Sequence, residues 1–156
     1  MIIKFFKGVK YAAKGIIIGI LYERNFRIDI SIMLYVLFFS QFYSLSSIQK
    51  VILVLICFNV PAFELMNTAV ERAVDNPDSA HYEKAGQAKD TAAGAVLLSA
   101  IGAAVAGILM FWDTAVFKEI FIFLFSNYVN FACFILSLIV AYLFINYDVF
   151  IKKFKG

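Results

Sequence analysis

Charged residues are scarce in this chain of 156 residues, and their scarcity argues against an ordinary soluble domain. Only 16% of the residues are charged, against roughly 25% in an average soluble protein. Hydrophobic residues make up 63% of the chain, and the mean hydropathy is +0.85. A chain this small cannot bury so much apolar surface in its own interior, so part of that surface must face lipid.

Other absences narrow the chemistry. The two cysteines, Cys57 and Cys133, lie far apart in apolar stretches and lack metal-ligand spacing, so we expect both to be small buried hydrophobic residues. No Walker-type glycine-rich loop is present, so any nucleotide must be bound in another way. No cleavage site of small residues follows an uncharged apolar run near the N-terminus, which argues against a signal peptide. The net charge of +3 is mild, and we expect no nucleic-acid partner.

The apolar residues form an N-terminal amphipathic helix and four longer segments. Four lysines and one tyrosine share one face of the first helix, and apolar residues take the other face, which predicts a helix lying in the membrane interface; a soluble bundle is the alternative. The polar face comprises Lys4, Lys7, Lys10, Tyr11 and Lys14. The four segments run over about 28–43, 48–73, 92–112 and 120–147. A spanning helix needs about 20 apolar residues, so the first segment is marginal and the others are adequate.

Lysine and arginine are concentrated in three places: before the first segment, around the polar stretch 75–89, and after the fourth segment. Cytoplasmic segments of membrane proteins are enriched in these residues. Four spans with both termini in the cytoplasm place all three on the same side. The predicted fold class is therefore all-α, a polytopic membrane helical bundle with an interfacial helix, three core spans and one additional C-terminal span.

Acidic side chains occur where lipid-facing residues are expected. Glu64, Asn67, Glu71 and Asp75 are spaced by 3, 4 and 4 residues, which places them on one helical face. A charge at the centre of a span costs about 2.5–3.5 kcal/mol. Clustered carboxylates suit a divalent cation that carries phosphates, and hard oxygen ligands favour Mg²⁺. The stripe also allows a polar seam for helix packing, or an ion path in a small transporter or channel subunit.

Three further features are open to more than one interpretation. Small residues recur along the third segment at spacings typical of close helix packing in lipid, and we expect them to be structural. Pro61 lies one turn before Glu64 and predicts a kink, which is either simply tolerated or helps to aim Glu64. His81 is either a solvated loop residue or a nucleotide contact.

Three separated motifs resemble the small prokaryotic membrane diacylglycerol kinase and undecaprenol kinase family. They are ERNFR at Glu23–Arg27, ELMNTAVERAVD at Glu64–Asp75 and AKDTAAGAV at Ala88–Val96, in the order that the family shows. The resemblance covers roughly residues 4 to 112. It implies homotrimers with active sites shared between neighbouring subunits, and a lipid kinase domain over residues 1–115. The C-terminal helix with its basic tail, residues 116–156, lies outside it.

The resemblance also implies roles for individual residues. Glu64 matches the catalytic base, and Glu23 and Glu71 match the ligands of the Mg²⁺ that bridges the ATP phosphates. The stretch Ala80–Tyr82 matches a segment that reaches the nucleotide, although it departs from the family's Glu-Tyr-His order. The whole expected nucleotide site comprises Lys4, Tyr11, Glu23, Asn67, Glu71, Asp75, Ala80, His81, Tyr82, Lys89 and Asp90.

The expected function is transfer of the ATP γ-phosphate to the hydroxyl of a membrane lipid alcohol in the bacterial plasma membrane. The ERNF and AKDTAAGAV motifs are similar to the Gram-positive branch, which favours undecaprenol. Gram-negative diacylglycerol kinases carry a tryptophan where Ala13 stands. Diacylglycerol, which would give phosphatidic acid, is the alternative acceptor. A non-enzymatic transporter or channel subunit is the alternative class.

Overall fold

The computed structural model describes residues 2–75 and 82–148, and these ranges are built from helices and short connections. A turn of 3₁₀ helix, Ser40–Phe42, follows the second helix. The six α-helices of the described ranges are α1 (Ile2–Tyr22), α2 (Arg24–Phe39), α3 (Ser47–Val74), α4 (Tyr82–Phe111), α5 (Thr114–Phe125) and α6 (Tyr128–Ile145). The predicted all-α membrane bundle is confirmed.

Among the helices that the structure describes, three are long and apolar enough to cross a membrane: α3, the part of α4 from Lys84 to Phe111, and α6. The first predicted span corresponds to α2, which has 16 residues. At 1.5 Å per residue α2 is about 24 Å long, shorter than a hydrocarbon core of about 30 Å. It begins at Arg24 and therefore includes polar residues whose ends can reach the headgroups.

The fourth apolar segment is not the single helix that its composition predicts. The helical conformation is interrupted at Ser126 and Asn127, which separate α5 from α6. Asn127 has extended backbone angles, and its side-chain oxygen accepts a hydrogen bond from the Val129 amide, so it caps the start of α6. Asp113 caps α5 in the same way, and residues 114–118, between the third and fourth predicted segments, are therefore helical.

Residues 82–89 of the polar stretch are helical, which was not predicted. Helix α4 begins at Tyr82 and not near residue 92, so its first two turns carry polar residues, including Lys89. At its other end α4 is tied to the turn after α2, where the Tyr43 hydroxyl donates a 2.9 Å hydrogen bond to the Phe111 carbonyl.

Helix α3 is the centre of the packing, with α4 and α2 against it, and α6 packs on the outer side of α2. The Tyr35 and Ser137 hydroxyls hydrogen-bond at 3.0 Å across the α2–α6 contact. Few apolar side chains are fully buried, and most large ones point outward, as expected for contact with lipid or other subunits. Cys57 is buried as predicted, but the prediction for Cys133 was wrong, because its side chain is exposed on α6.

Candidate active site

The predicted polar stripe forms one face of α3. The helix continues without a break from Ser47 to Val74, and its 3.6-residue period aligns the four positions. Burial falls along the stripe: Glu64 and Asn67 are buried, Glu71 is half-buried and Asp75 is exposed. The face therefore runs from an apolar, enclosed end to a solvated end.

Asn67 and Glu71 are paired on this face. The Asn67 amide nitrogen donates a 3.1 Å hydrogen bond to Glu71 Oε1. The Asn67 side-chain oxygen is buried and has no hydrogen-bond partner among the described residues. Buried polar atoms are normally paired, so this unpaired oxygen is a candidate ligand atom of the site.

Glu23 reaches the same region from the junction between α1 and α2. It is the residue between the two helices and has extended backbone angles, φ −111° and ψ 110°. Its carboxylate accepts a 2.7 Å hydrogen bond from the Arg72 guanidinium, next to Glu71 on α3. The sequence motifs include Arg72, but their spacing does not predict its pairing with Glu23.

A glycine allows the junction to approach α3. A Cβ atom at Gly19 would lie 2.5 Å from Leu65 Cδ2 and 2.9 Å from the ring of Phe26, which is buried. The last turn of α1 therefore packs directly beside Leu65, the neighbour of Glu64. The Glu23 amide donates to the Gly19 carbonyl at 2.9 Å, which fixes where the junction begins.

Several charged and polar groups act on Glu64 from α3 itself, from α2 and from the junction before α2. Asn25, Glu71 and Glu23 lie close enough to interact with its carboxyl group. Asp29 on α2 interacts with it as well. Asp29 was not predicted as a site residue, although an acidic residue near the start of an apolar segment was a visible signal. Four carboxyl groups therefore share the region where α1, α2 and α3 meet.

The oxygen atoms of this region are suited to bind Mg²⁺ together with the phosphates of a nucleotide. Within residues 2–75 and 82–148, no three His, Cys, Asp or Glu residues are grouped closely enough to hold a metal ion alone. Mg²⁺ is commonly bound by one or two carboxylates together with substrate phosphates. Glu23, Glu71 and the unpaired Asn67 oxygen are hard oxygen donors of that kind.

The expected nucleotide residues are only partly brought together. Lys89 Nζ lies 2.9 Å and 3.2 Å from the two carboxylate oxygens of Asp75, which joins the start of α4 to the end of α3. Asp90 follows on α4 and is exposed. Lys4 and Tyr11 are exposed on α1, and no described hydrogen bond or ion pair links them to the acidic face of α3.

Three residues of that prediction lie at the edge of the described ranges or outside them. Ala80 and His81 lie outside the described residues, and Tyr82 is described only as the first residue of α4.

The chain is similar to known lipid kinases of bacteria. The family described as prokaryotic diacylglycerol kinase matches residues 10–111. An undecaprenol kinase of Bacillus subtilis is 36% identical over 108 residues, which are 69% of this chain and 88% of the relative. A diacylglycerol kinase of Synechocystis is 38% identical over 99 residues, 63% of this chain and 57% of the relative. A diacylglycerol kinase of Escherichia coli is 28% identical over 110 residues, 70% of this chain and 90% of the relative.

Proposed function

The chain belongs to the prokaryotic diacylglycerol kinase family, and we propose that it transfers the γ-phosphate of ATP to the hydroxyl group of undecaprenol. A membrane lipid kinase is what the family and the apolar helices support together. The choice of acceptor rests on the similarity to the Bacillus undecaprenol kinase along 88% of that protein. Diacylglycerol is the alternative acceptor, because relatives named for it share up to 38% identity with parts of this chain.

The observation that carries the proposal is the gradient of burial along α3. Buried Glu64 and exposed Asp75 are eleven residues apart on one helix face, or about 16 Å along the axis. A lipid hydroxyl just below the headgroups would meet the enclosed end of this face. A nucleotide from the cytoplasm would meet its solvated end.

Glu64 is the proposed general base. Its carboxylate would accept the proton of the lipid hydroxyl while the lipid oxygen forms a bond to the γ-phosphorus and the bond from that phosphorus to ADP breaks. The transition state of phosphoryl transfer is loose, so the main tasks of the protein are positioning and neutralisation of charge. The burial of Glu64 at the enclosed end of the α3 face suits a base that acts on a lipid.

The charges of the phosphates would be balanced at the solvated end of the face. Glu23 and Glu71 are the proposed Mg²⁺ ligands, with the unpaired Asn67 oxygen beside them. When bound, Mg²⁺ would neutralise charge on the β- and γ-phosphates. Lys89 would exchange its pairing with Asp75 for contact with the transferring phosphoryl group.

We further propose a homotrimer in the bacterial plasma membrane, with both termini in the cytoplasm and with active sites shared between neighbouring subunits. The outward apolar surface of α4 supports association, since its spanning part has no buried residue within one chain. The incomplete nucleotide site of the single chain, in which Lys4 and Tyr11 stand apart from the acidic face, fits a site completed by a neighbour.

Competition between acceptors tests the proposal. The purified protein in detergent micelles is given γ-labelled ATP, Mg²⁺ and equal amounts of undecaprenol and diacylglycerol. We expect Mg²⁺-dependent label in both lipids, with undecaprenol labelled faster. Faster labelling of diacylglycerol would reverse the assignment of the acceptor. If the protein is folded and neither lipid is labelled, the transporter or channel class is favoured.

A further inference from the structure

The most completely buried side chain of the described residues is a cation, Arg27, and it lies where α1, α2 and α6 meet. Its exposed fraction is 0%. Its guanidinium donates to the Ile20 carbonyl at 2.9 Å, twice to the Ile145 carbonyl at 3.2 Å, and to Asp148 Oδ2 at 2.6 Å. Asp148 is the only ion-pair partner that the described residues give it.

Two of the acceptors are carbonyls at helix ends. Ile20 is in the last turn of α1, and Ile145 is the last residue of α6. The last four carbonyls of a helix have no partner within it and carry partial negative charge, so a cation there is favourable. Arg27 therefore caps the C-terminal ends of α1 and α6 at once, and Asp148 balances its charge.

Arg27 also hydrogen-bonds to the backbone on both sides of Glu23, the proposed metal ligand. The Arg27 amide donates to the Glu23 carbonyl at 3.3 Å, and the Glu23 amide donates to the Gly19 carbonyl at 2.9 Å. The Arg27 side chain reaches back to Ile20, three residues before Glu23. The backbone on both sides of Glu23 is thus held by one residue, while the Glu23 carboxylate points to Arg72.

We propose that Asp148 is a positioning residue for phosphoryl transfer: by holding Arg27, it keeps the turn that carries Glu23 against the acidic face of α3. Asp148 Oδ1 is buried and has no hydrogen-bond partner among the described residues, whereas the side chain as a whole is 35% exposed. The residue lies beyond residues 10–111, which match the family. Residues 116–156, here called the C-terminal extension, would thereby help to position the metal ligand Glu23 of the preceding kinase domain. This inference rests on the proposed function.

The test compares Asp148→Asn with Asp113→Asn in the full-length protein. Both changes remove one carboxylate charge from the C-terminal part of the chain, but Asp113 caps α5 and makes no described contact with Arg27, and asparagine can still cap. Three quantities are measured: the Mg²⁺ concentration for half-maximal activity, the binding of Mn²⁺ with a non-hydrolysable ATP analogue by electron paramagnetic resonance, and the thermal midpoint.

Loss of a partner that orients a metal ligand typically costs about 10–100-fold in metal affinity or activity. We expect Asp148→Asn to raise the half-maximal Mg²⁺ concentration and to weaken Mn²⁺ binding by about tenfold, while turnover at saturating Mg²⁺ changes little. Asp148→Glu, which keeps the charge, should restore most of the binding. Asp113→Asn should match the natural protein.

A lower thermal midpoint with unchanged Mg²⁺ dependence and Mn²⁺ binding would overturn the proposal, because Asp148 would then be structural only. If Asp148→Asn does not fold, Arg27→Lys decides, because lysine keeps the charge but loses the planar fork of donors that contacts Asp148 and the two carbonyls. An unchanged Mg²⁺ and Mn²⁺ dependence in that variant would also overturn the proposal. A natural protein that binds Mn²⁺ and nucleotide but phosphorylates no lipid would count against the proposed function and not against the role of Asp148.

Discussion

Removal of residues 114–156 should leave a folded and active kinase with reduced stability. Three of the four hydrogen bonds of the Arg27 side chain go to Ile145 and Asp148, which this truncation deletes. Breaking a buried ion pair by removing one partner costs about 3–5 kcal/mol. We expect about 3 kcal/mol, the lower end of that range, because the Asp148 side chain is 35% exposed and water is already near the pair.

The truncation also removes weaker interactions between α2 and α6. The Tyr35 hydroxyl no longer has Ser137 as a hydrogen-bond partner, and that bond is worth about 1 kcal/mol. Apolar packing of α6 adds little, because detergent or lipid replaces the helix with an equally apolar surface. The loss of Arg27 partners therefore dominates the predicted destabilisation, and it should be accompanied by the higher Mg²⁺ requirement expected for Asp148→Asn.

The assay is thermal inactivation of full-length and truncated protein in the same micelles, together with oligomeric mass and lipid kinase activity. Tyr35→Phe in the full-length chain is the matched control, since it deletes only the hydrogen bond to α6. Equal stability of the full-length and truncated proteins would show that the hydrogen bonds from Arg27 to Ile145 and Asp148 do not stabilise the fold. A truncated protein with the same oligomeric mass but no activity would place α5 or α6 in the active site and refute their peripheral position.

Four further substitutions test the site and the packing beside it. Glu71→Gln and Glu23→Gln should each raise the Mg²⁺ requirement, and excess Mg²⁺ should partly restore activity, since each removes one ligand; unchanged Mg²⁺ dependence would exclude that residue as a ligand. Lys89→Gln should lower turnover with little change in thermal midpoint, because its ion pair is exposed; normal turnover would remove it from the mechanism. Gly19→Ala should destabilise by about 1–3 kcal/mol through overpacking, whereas Gly15→Ala, with open space around it, should not; equal midpoints would contradict the close packing.

Periodicity was sufficient to predict the acidic face but not the partners of its residues. The spacing of Glu64, Asn67 and Glu71 fixes a common face for any helix, so the stripe could be recognised without a structure. The Arg72–Glu23 pair joins residues 49 apart, and the Arg27–Asp148 pair joins residues 121 apart. Such pairs depend on how helices pack, and local spacing contains no information about them.

The break in the last apolar segment was missed for a different reason. The segment lacks charged residues over 120–147, and a count of apolar residues therefore predicted a single span. The break is instead determined by Ser126 and Asn127, because the Asn127 side chain can cap a new helix. Similarly, the polar composition around Lys89 indicated a loop, although polar residues are compatible with the solvated end of α4.

The most direct test of the central claim is phosphate transfer to undecaprenol by the natural protein and by Glu64→Gln. Labelled ATP and Mg²⁺ are supplied in micelles, and the binding of a non-hydrolysable ATP analogue is measured in parallel. A general base typically contributes about 10²–10⁴-fold, and we expect the variant to lose transfer by that factor while it still binds Mg²⁺ and nucleotide. Near-normal transfer by a correctly folded Glu64→Gln protein would contradict the account.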